Sequence, residues 1–99
     1  MAAAIEVASL FSLAGKRALV TGSSRGIGRA IGQALAAAGA RVAFHGATMT
    51  EALREATAEA GEQSLCLTAD LSHSAGVQQL IRDVGRMMDG VDILVLNAS

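Results

Sequence analysis

The sequence has few charged side chains, and their signs nearly cancel. Lysine and arginine together number eight, aspartate and glutamate number nine, and the formal net charge is −1. The basic residues of the N-terminal half, among them Arg25 and Arg29, are dispersed and form no basic stripe. Binding to nucleic acid or to an acidic membrane surface depends on such a stripe, so the composition argues against both kinds of partner.

Cysteine, long apolar runs and a basic leader are scarce or missing as well. Cys66 is the single cysteine, which excludes an intramolecular disulfide. Its neighbours Leu65 and Leu67 favour a small buried apolar side chain over a reactive thiol. Residues 1–13 have no basic leader before their apolar residues, and no apolar run approaches the length of a membrane span. We therefore expect a cytoplasmic protein in a reducing compartment.

The length of 99 residues, 52% of them hydrophobic, suffices for one domain with a modest core. Residues 1–9 lack periodicity and are expected to form a flexible leader. Beyond them, short apolar runs alternate with helical patterns, which predicts an α/β fold: a three-layer parallel sheet with strand order 3-2-1-4. The predicted strands are 17–20, 41–44, 63–69 and 92–96, and the predicted helices are 27–39, 51–60 and 72–90.

Helix ends and faces follow from the same patterns. Thr50 and Ser72 are expected to cap the second and third helices, and Gly39, Gly61 and Gly90 to end the three in turn. The first helix is expected to bury the apolar residues that recur at three-and-four spacing, namely Ile27, Ala30, Ile31, Ala34, Leu35 and Ala38.

A glycine-rich turn joins the first strand to the first helix and is the centre of the sequence. Glycine permits a tight turn, and the helix that follows points unpaired N–H groups and the positive end of its dipole at the same place. These groups favour a phosphate, which makes this turn the candidate cofactor site. The candidate residues here are Gly22, Ser23, Ser24, Arg25, Gly26, Ile27 and Gly28.

Two alternatives stay open within this turn. Its three glycines are needed either for a cofactor or only for the turn and for packing. The hydroxyls of Thr21, Ser23 and Ser24 either contact phosphate or ribose or satisfy the backbone of the loop. The spacing matches neither G-x-G-x-x-G nor a P-loop, but T-G-x-x-x-G-x-G.

The octet from Thr21 to Gly28 resembles the cofactor loop of the short-chain dehydrogenase/reductase family. Asp70-Leu71 resembles the family's Asp after the third strand, and residues 92–99 resemble its fourth strand ending in N-N-A-G, with Leu96 and Ser99 as the two departures. The resemblance implies a Rossmann-like, dinucleotide-binding domain that these 99 residues represent in part. It places Asp70 and Leu71 near the adenine, and Asn97 and Ala98 near the nicotinamide ribose.

Alternatives exist for the polar residues outside the turn. Asp70 either contacts adenine or ties its own loop together, and Asn97 either contacts the ribose or braces neighbouring strands. His45 and His73 have no partners at ligand spacing and are expected to be solvated loop residues. The glutamates 51, 55, 59 and 62 are expected to form a solvated helix face, so no metal site is predicted.

NADP is the expected cofactor, ahead of NAD. The loop after the second strand, residues 45–48, contains no acid that could bind a ribose 2′-OH and repel a 2′-phosphate. Arg25 lies in the adjacent turn and is expected to attract that phosphate, with an ordinary surface charge as the alternative.

The resemblance implies a reductase that transfers hydride between NADP(H) and a small carbonyl or alcohol substrate, with ketoacyl-thioester or small-ketone reductases as the nearest kind. The family's catalytic tyrosine and lysine have no counterpart, because the sequence lacks tyrosine and its only lysine is Lys16. We therefore predict no catalytic residue and no turnover for these 99 residues alone. The alternative is a non-catalytic nucleotide-binding or interaction module of the same fold.

The fourth strand is expected to lie at an apolar edge of the sheet. Because an exposed apolar edge invites pairing with another chain, we also predict a homo-oligomer.

Overall fold

The computed structural model describes residues 12–97, in which strands and helices alternate along the chain. The strands are β1 (Arg17–Val20), β2 (Arg41–Gly46), β3 (Leu65–Thr68) and β4 (Ile93–Val95). The helices are α1 (Gly26–Ala37), α2 (Glu51–Glu59) and α3 (Ser74–Met88). The expected leader and Ala98 lie outside the described residues.

All strands are parallel, and their spatial order is β3-β2-β1-β4, which confirms the predicted topology. In the register, Leu19 of β1 pairs with Ala43 of β2 on one side and with Leu94 of β4 on the other. The chain leaves β1 towards β2 and later returns to its other side at β4. A crevice therefore opens at the carboxyl ends of β1 and β4, where the strand order reverses.

Helices cover both faces of the sheet, so the predicted three layers are present. Alternation along β1 sends Ala18 and Val20 into a core with Phe44 and α2, while Leu19 enters a second core with α3. The first core includes Val42, Leu53 and Ala56, and the second includes Ala43, Leu80, Val84 and Met88.

Strand β3 divides its side chains as the sequence predicted. Leu65 and Leu67 pack on the core beneath α3, and half-buried Cys66 packs on the opposite core beside Phe44. Because period-2 alternation fixes these directions, the register of β3 against β2 follows from its apolar pattern.

The buried face of α1 differs from the prediction. Its fully buried residues are Gly28 and Gly32, whereas Ile27 is 74% exposed. A Cβ on Gly32 would lie 2.5 Å from Cε2 of Phe44, so the missing side chain lets the helix backbone pack directly on the sheet. The prediction is confirmed for Ile31 and Leu35, which pack on the core, and wrong for Ile27, Ala30 and Ala34, which are exposed because the closest contact is made by the glycines.

Several boundaries also differ, and two of them have a visible cause. Strand β2 extends to Gly46, because its last two residues continue the pairing with β3. The hydroxyl of Ser72 donates to Asp70, and the N-cap of α3 is His73, so Ser72 is not the cap. The other predicted cap is confirmed, since Oγ1 of Thr50 accepts the N–H of Leu53 at 3.1 Å.

An ion pair joins β1 to the start of β4 at the amino end of the sheet. The backbone N–H and Nε of Arg17 donate to Oδ2 of Asp92 at 2.9 and 3.1 Å, and Nη1 of Arg17 donates to the carbonyl of Asp89 at 2.6 Å. The Arg17 side chain, then its backbone N–H, lowers the pKa of Asp92 below its ordinary value of 3.8.

The face of β4 beneath α3 is only partly covered. Val77, Ile81, Leu94 and Leu96 leave between 40% and 77% of their surface exposed and line a common groove. Within residues 12–97, no helix has the length and apolar character needed to cross a membrane.

Gly32→Ala should destabilise the protein, because the added methyl meets the rigid ring of Phe44. Overpacking of this kind costs ~1–3 kcal/mol. The matched variant Gly85→Ala places its methyl in open space on exposed α3 and should instead stabilise by ~0.5–1 kcal/mol. Urea unfolding of both variants measures the two signs, and a stable Gly32→Ala protein would contradict the close packing.

Asp92→Asn should destabilise the protein in a pH-dependent manner. The folded-state pKa of Asp92 is lowered, so its contribution is present above the unfolded value and is lost as pH falls through the folded value. The stability difference between wild type and variant should therefore be largest near neutral pH and vanish in acid. Glu55→Gln on exposed α2 controls for net charge, and a difference independent of pH would refute the role of this pair.

Candidate cofactor site

The turn between β1 and α1 lies at the crevice that the sheet topology creates. Gly22 and Gly26 have φ angles of 60° and 63°, which side chains with a Cβ rarely adopt. Both glycines are therefore required by backbone conformation. They reverse the chain so that α1 begins directly above the carboxyl end of β1.

The N-terminus of α1 keeps its amides free of side-chain caps. Arg25 occupies the N-cap position with extended backbone, its side chain makes no capping hydrogen bond, and the first turn contains no acid. The N–H groups of Gly26, Ile27 and Gly28 have no partner within the helix, since only later amides reach a carbonyl four residues back. Bare donors and the positive end of the helix dipole are groups that favour an anion, so this turn remains the candidate phosphate site.

Gly28 is required for close packing rather than for its φ angle. A Cβ at this position would overlap the carbonyl oxygen of Gly22 and lie 2.6 Å from Nδ2 of Asn97. The third glycine of the motif thus lets the first turn of α1 sit on the end of the sheet. Sequence reasoning could not assign the three glycines to these separate causes.

The Ser23 hydroxyl is committed to the protein backbone. It donates to the carbonyl of Val20 at 2.7 Å and accepts the N–H of His45 at 2.8 Å, and Ser23 is fully buried. Of the two alternatives for this hydroxyl, the structure supports the one in which it stabilises the loop.

Asn97 and Thr21 link the turn to the end of β4. Nδ2 of Asn97 donates to the carbonyl of Gly22 at 2.9 Å, and its backbone N–H donates to Oγ1 of Thr21 at 3.0 Å. The amide of Asn97 therefore braces the glycine turn, as the structural alternative predicted. A contact with the ribose stays a prediction.

His45 is not the solvated loop residue that we expected. It lies in β2 and is only 4% exposed, because β2 continues past Phe44 and places this ring between the turn and β3. Nδ1 lies 3.0 Å from the N–H nitrogen of Gly22, and Nε2 lies 2.9 Å from the carbonyl oxygen of Ala69. The continuous apolar run before it was the signal that the strand extends this far.

Asp70 ties its own loop together and remains exposed. Its Oδ1 accepts the hydroxyl of Ser72 at 2.6 Å and the backbone N–H of Ser72 at 3.0 Å. These bonds, the hydroxyl first, lower the pKa of Asp70, and the nearby ring of His73 adds a smaller effect. The loop-tying alternative is observed, and a contact with adenine stays a prediction.

Two neighbouring clefts gather most of the candidate residues. One, of about 640 Å³, is lined by Gly22, Ser24, Arg25, Gly26, Ile27 and Asn97, together with residues 46–48. The other, of about 470 Å³, is lined by Gly22, His45, Asp70, Leu71 and Asn97. Gly22 and Asn97 belong to both, so the turn separates two parts of one elongated site. Ser23 and Gly28 lie behind this surface, and Ala98 is outside the described residues.

The glutamates of α2 do not converge on a metal site. Glu59 accepts from Arg29 and Gln33 of α1, which ties the two helices together. Across residues 12–97, no group of three or more His, Cys, Asp or Glu side chains is arranged to hold a metal ion.

Comparison with known proteins places this arrangement in a family. A family model described as short chain dehydrogenase matches residues 16–99. The chain is 45% identical over 89 residues to nodulation protein G of Rhizobium sp. (strain N33), covering 90% of this chain and 36% of that protein. It is 47% identical over 90 residues to the rhamnolipids biosynthesis 3-oxoacyl-(acyl-carrier-protein) reductase of Pseudomonas aeruginosa, covering 89% and 35%.

Solved structures share the fold as well as the sequence. A dehydrogenase/reductase from Sinorhizobium meliloti 1021 superposes with a TM-score of 0.87 at 37% identity, over 96% of this chain and 39% of that one. The RhlG/NADP active-site complex of Pseudomonas aeruginosa gives a TM-score of 0.81 at 43% identity, over 90% and 36%. This chain spans about a third of the length of the curated relatives. The match over residues 16–99, the fold and the glycine turn agree, and the chain belongs to the short-chain dehydrogenase family.

Proposed function

We propose that this chain binds a nicotinamide dinucleotide, with the pyrophosphate at the N-terminus of α1. The observation that carries the proposal is the uncapped first turn of α1, which faces an open cleft with neither a capping side chain nor an acid. Backbone amides there can donate to phosphate oxygens without any rearrangement of side chains. Membership of a dehydrogenase family and a relative solved with NADP support the same ligand.

The remaining candidate residues extend the site on both sides of the phosphates. Asp70 and Leu71 line the second cleft and are proposed to receive the adenine, and Asn97 and Ala98 are proposed to face the nicotinamide ribose. Ser24 and Ile27, on the rim of the first cleft, are proposed to flank the pyrophosphate.

We assign NADP rather than NAD as the cofactor. Exposed Arg25 lines the same cleft as Ala47 and Thr48, the residues that follow β2, and residues 45–48 include no carboxylate to repel a 2′-phosphate. A guanidinium in this position can form charge-assisted hydrogen bonds with phosphate oxygens.

The proposed reaction of the whole enzyme is hydride transfer between NADP(H) and a carbonyl or alcohol. The dinucleotide supplies the hydride, and the residues described here bind and orient it. A protein acid must protonate the alkoxide that forms, and the sequence contains no tyrosine for this role. We propose that the acid belongs to the part of the enzyme outside these 99 residues, which alone should show no turnover.

The substrate class is proposed from one relative. It is named as a 3-oxoacyl-(acyl-carrier-protein) reductase, which supports a ketoacyl thioester, with a small ketone as the other candidate. The alternative of a non-catalytic nucleotide-binding module rests on the missing tyrosine.

The exposed apolar side chains of Ile81 and Leu94 support the proposal of a homo-oligomer. A cytoplasmic location stays a prediction.

Ile27→Glu should affect stability and cofactor binding in opposite directions. The side chain is 74% exposed in the first turn of α1, so the new carboxylate meets the helix dipole and should stabilise the fold by ~0.3–1 kcal/mol. The same charge should repel the pyrophosphate and lower NADP affinity by about tenfold or more. Calorimetric titration and thermal unfolding measure the two effects.

Ile27→Gln is the matched neutral control for that variant. It has nearly the same shape, lacks the charge, and should leave NADP affinity within about threefold of wild type. Equal affinity in the Glu and Gln variants would place the phosphates elsewhere, and no binding by the wild-type protein would end the proposal.

Arg25→Ala should separate the two cofactors. Loss of the guanidinium removes a charge-assisted contact with the 2′-phosphate, so NADP affinity should fall by about five- to twentyfold while NAD affinity changes little. Arg54→Ala, at an exposed arginine of α2, controls for the change in net charge. An equal loss for both cofactors would refute the 2′-phosphate role.

A further inference from the structure

His45 is a buried titratable side chain that the proposed function leaves unexplained. It lies near the carboxyl end of β2 with 4% of its surface exposed. Both ring nitrogens make hydrogen bonds, and each bond goes to a different loop of the candidate site.

The two partners fix the protonation of the ring. A backbone amide can only donate, so Nδ1 must accept from the N–H of Gly22. A backbone carbonyl can only accept, so Nε2 must carry the proton that it donates to Ala69. The side chain is therefore the neutral Nε2–H tautomer, with its full hydrogen-bonding capacity used.

The ring adds a direct link between two loops that the backbone joins only through β2. Strands β1 and β3 are not neighbours, because β2 lies between them, and each strand spacing is about 4.8 Å. Beyond the last β1–β2 pair at Val20 and Phe44, the N–H of Ser23 donates to the carbonyl of His45 at 2.8 Å, and the N–H of Ala69 donates to the carbonyl of Gly46 at 3.2 Å. Each loop is thus bonded to β2, and the imidazole contacts Gly22 and Ala69 at once.

Ser23 makes two hydrogen bonds between the glycine turn and the backbone of His45. Its N–H donates to the carbonyl of His45 at 2.8 Å, and its hydroxyl accepts the N–H of His45 at 2.8 Å. The backbone of His45 is thus held on the turn, and its ring then reaches across to Ala69.

We infer that His45 is a positioning residue, whose neutral imidazole sets the spacing between the glycine turn and the Asp70 loop. This inference rests on the proposed function, in which the first loop receives the pyrophosphate and the second the adenine. Holding Gly22 and Ala69 at one fixed distance orders both parts of the cleft before the dinucleotide binds. Such pre-organisation reduces the ordering that binding would otherwise require.

Two amide substitutions separate the bonds of the ring. Asparagine places its amide near Nδ1, so His45→Asn keeps an acceptor for Gly22 and loses the bond to Ala69. Glutamine reaches the position of Nε2, so His45→Gln keeps a donor for Ala69 and loses the acceptor for Gly22. Gln63→Asn, at an exposed residue that lines neither cleft, is the control and should bind as wild type does.

The ligands are NADP and 2′,5′-ADP, which has the adenine and 2′-phosphate but no pyrophosphate. His45→Gln should lower NADP affinity by about tenfold and 2′,5′-ADP affinity by less than about threefold. His45→Asn should lower both affinities by a similar factor, because the adenine loop is released. Calorimetric titration of the full-length protein measures the four values.

A purely structural role predicts a different outcome. Both variants would then lower both affinities by the same factor, in step with their loss of thermal stability, and that result would overturn the inference. Ring ¹⁵N spectra of the wild-type protein provide a measurement that needs neither variant nor ligand. An Nε2–H tautomer with slow exchange of the Gly22 amide supports the bridge, whereas an Nδ1–H tautomer refutes it.

These readouts also separate the two proposals. If wild type binds neither ligand while the ring is the Nε2–H tautomer, the proposed function fails and the positioning of the two loops by His45 stands as a structural bridge alone, without the role inferred for it. If wild type binds NADP and the Gln and Asn variants do not differ between the ligands, the positioning role fails while the proposed function holds.

Discussion

The close approach of α1 to the end of the sheet is the contact on which the site depends. Gly28 lies against the carbonyl of Gly22 and the side-chain amide of Asn97, in a space that excludes even a methyl group. Because the helix begins at this distance, its first amides open onto the crevice between β1 and β4 rather than onto a layer of side chains. Any residue larger than glycine would move the start of α1 outward, and with it the amides that we propose bind the pyrophosphate.

Around this contact, most polar side chains make hydrogen bonds to the backbone of the loops. Ser23 bonds to β1 and β2, Thr21 bonds to Asn97, Asn97 also bonds to Gly22, and His45 bonds to two loops. Among the residues described, every buried side-chain nitrogen or oxygen has a hydrogen-bond partner. A buried polar group without a partner costs ~1–3 kcal/mol, so these bonds hold the turn in one conformation. The donors left for an anion are the first backbone amides of α1 and the side chains of Ser24 and Arg25, which line the cleft.

The sequence predicted correctly those features that depend on hydrophobic periodicity or on turn residues. The alternation of side chains along β3 predicted that Leu65 and Cys66 lie on opposite faces. The alternation of strands and helices along the chain predicted the order of all four strands. Sequence reasoning failed where the determinant is a missing side chain or a partner distant in sequence. The closest approach of α1 to the sheet is made by Gly32 against Phe44, beside Ile31 and Leu35, and apolar periodicity does not indicate a glycine contact. His45 reads as polar and therefore exposed, because its partners at Gly22 and Ala69 become visible only after the sheet is assembled.

The first two helices use their N-termini in different ways. At the start of α2, the side chain of Thr50 accepts the N–H of Leu53, and the carboxylate of Glu51 lies near the positive end of the helix dipole. The start of α1 has neither, and an absent cap costs ~0.5–2 kcal/mol of stability. A bound anion would supply the missing acceptors, and a ligand that binds only the folded state adds stability of RT ln(1 + [L]/Kd). At a concentration one hundred times Kd this contribution is about 2.7 kcal/mol, larger than the cost of the absent cap. On the proposed function, the absent cap of α1 therefore lowers stability in the protein without its cofactor. Saturation with dinucleotide adds more stability than the absent cap costs.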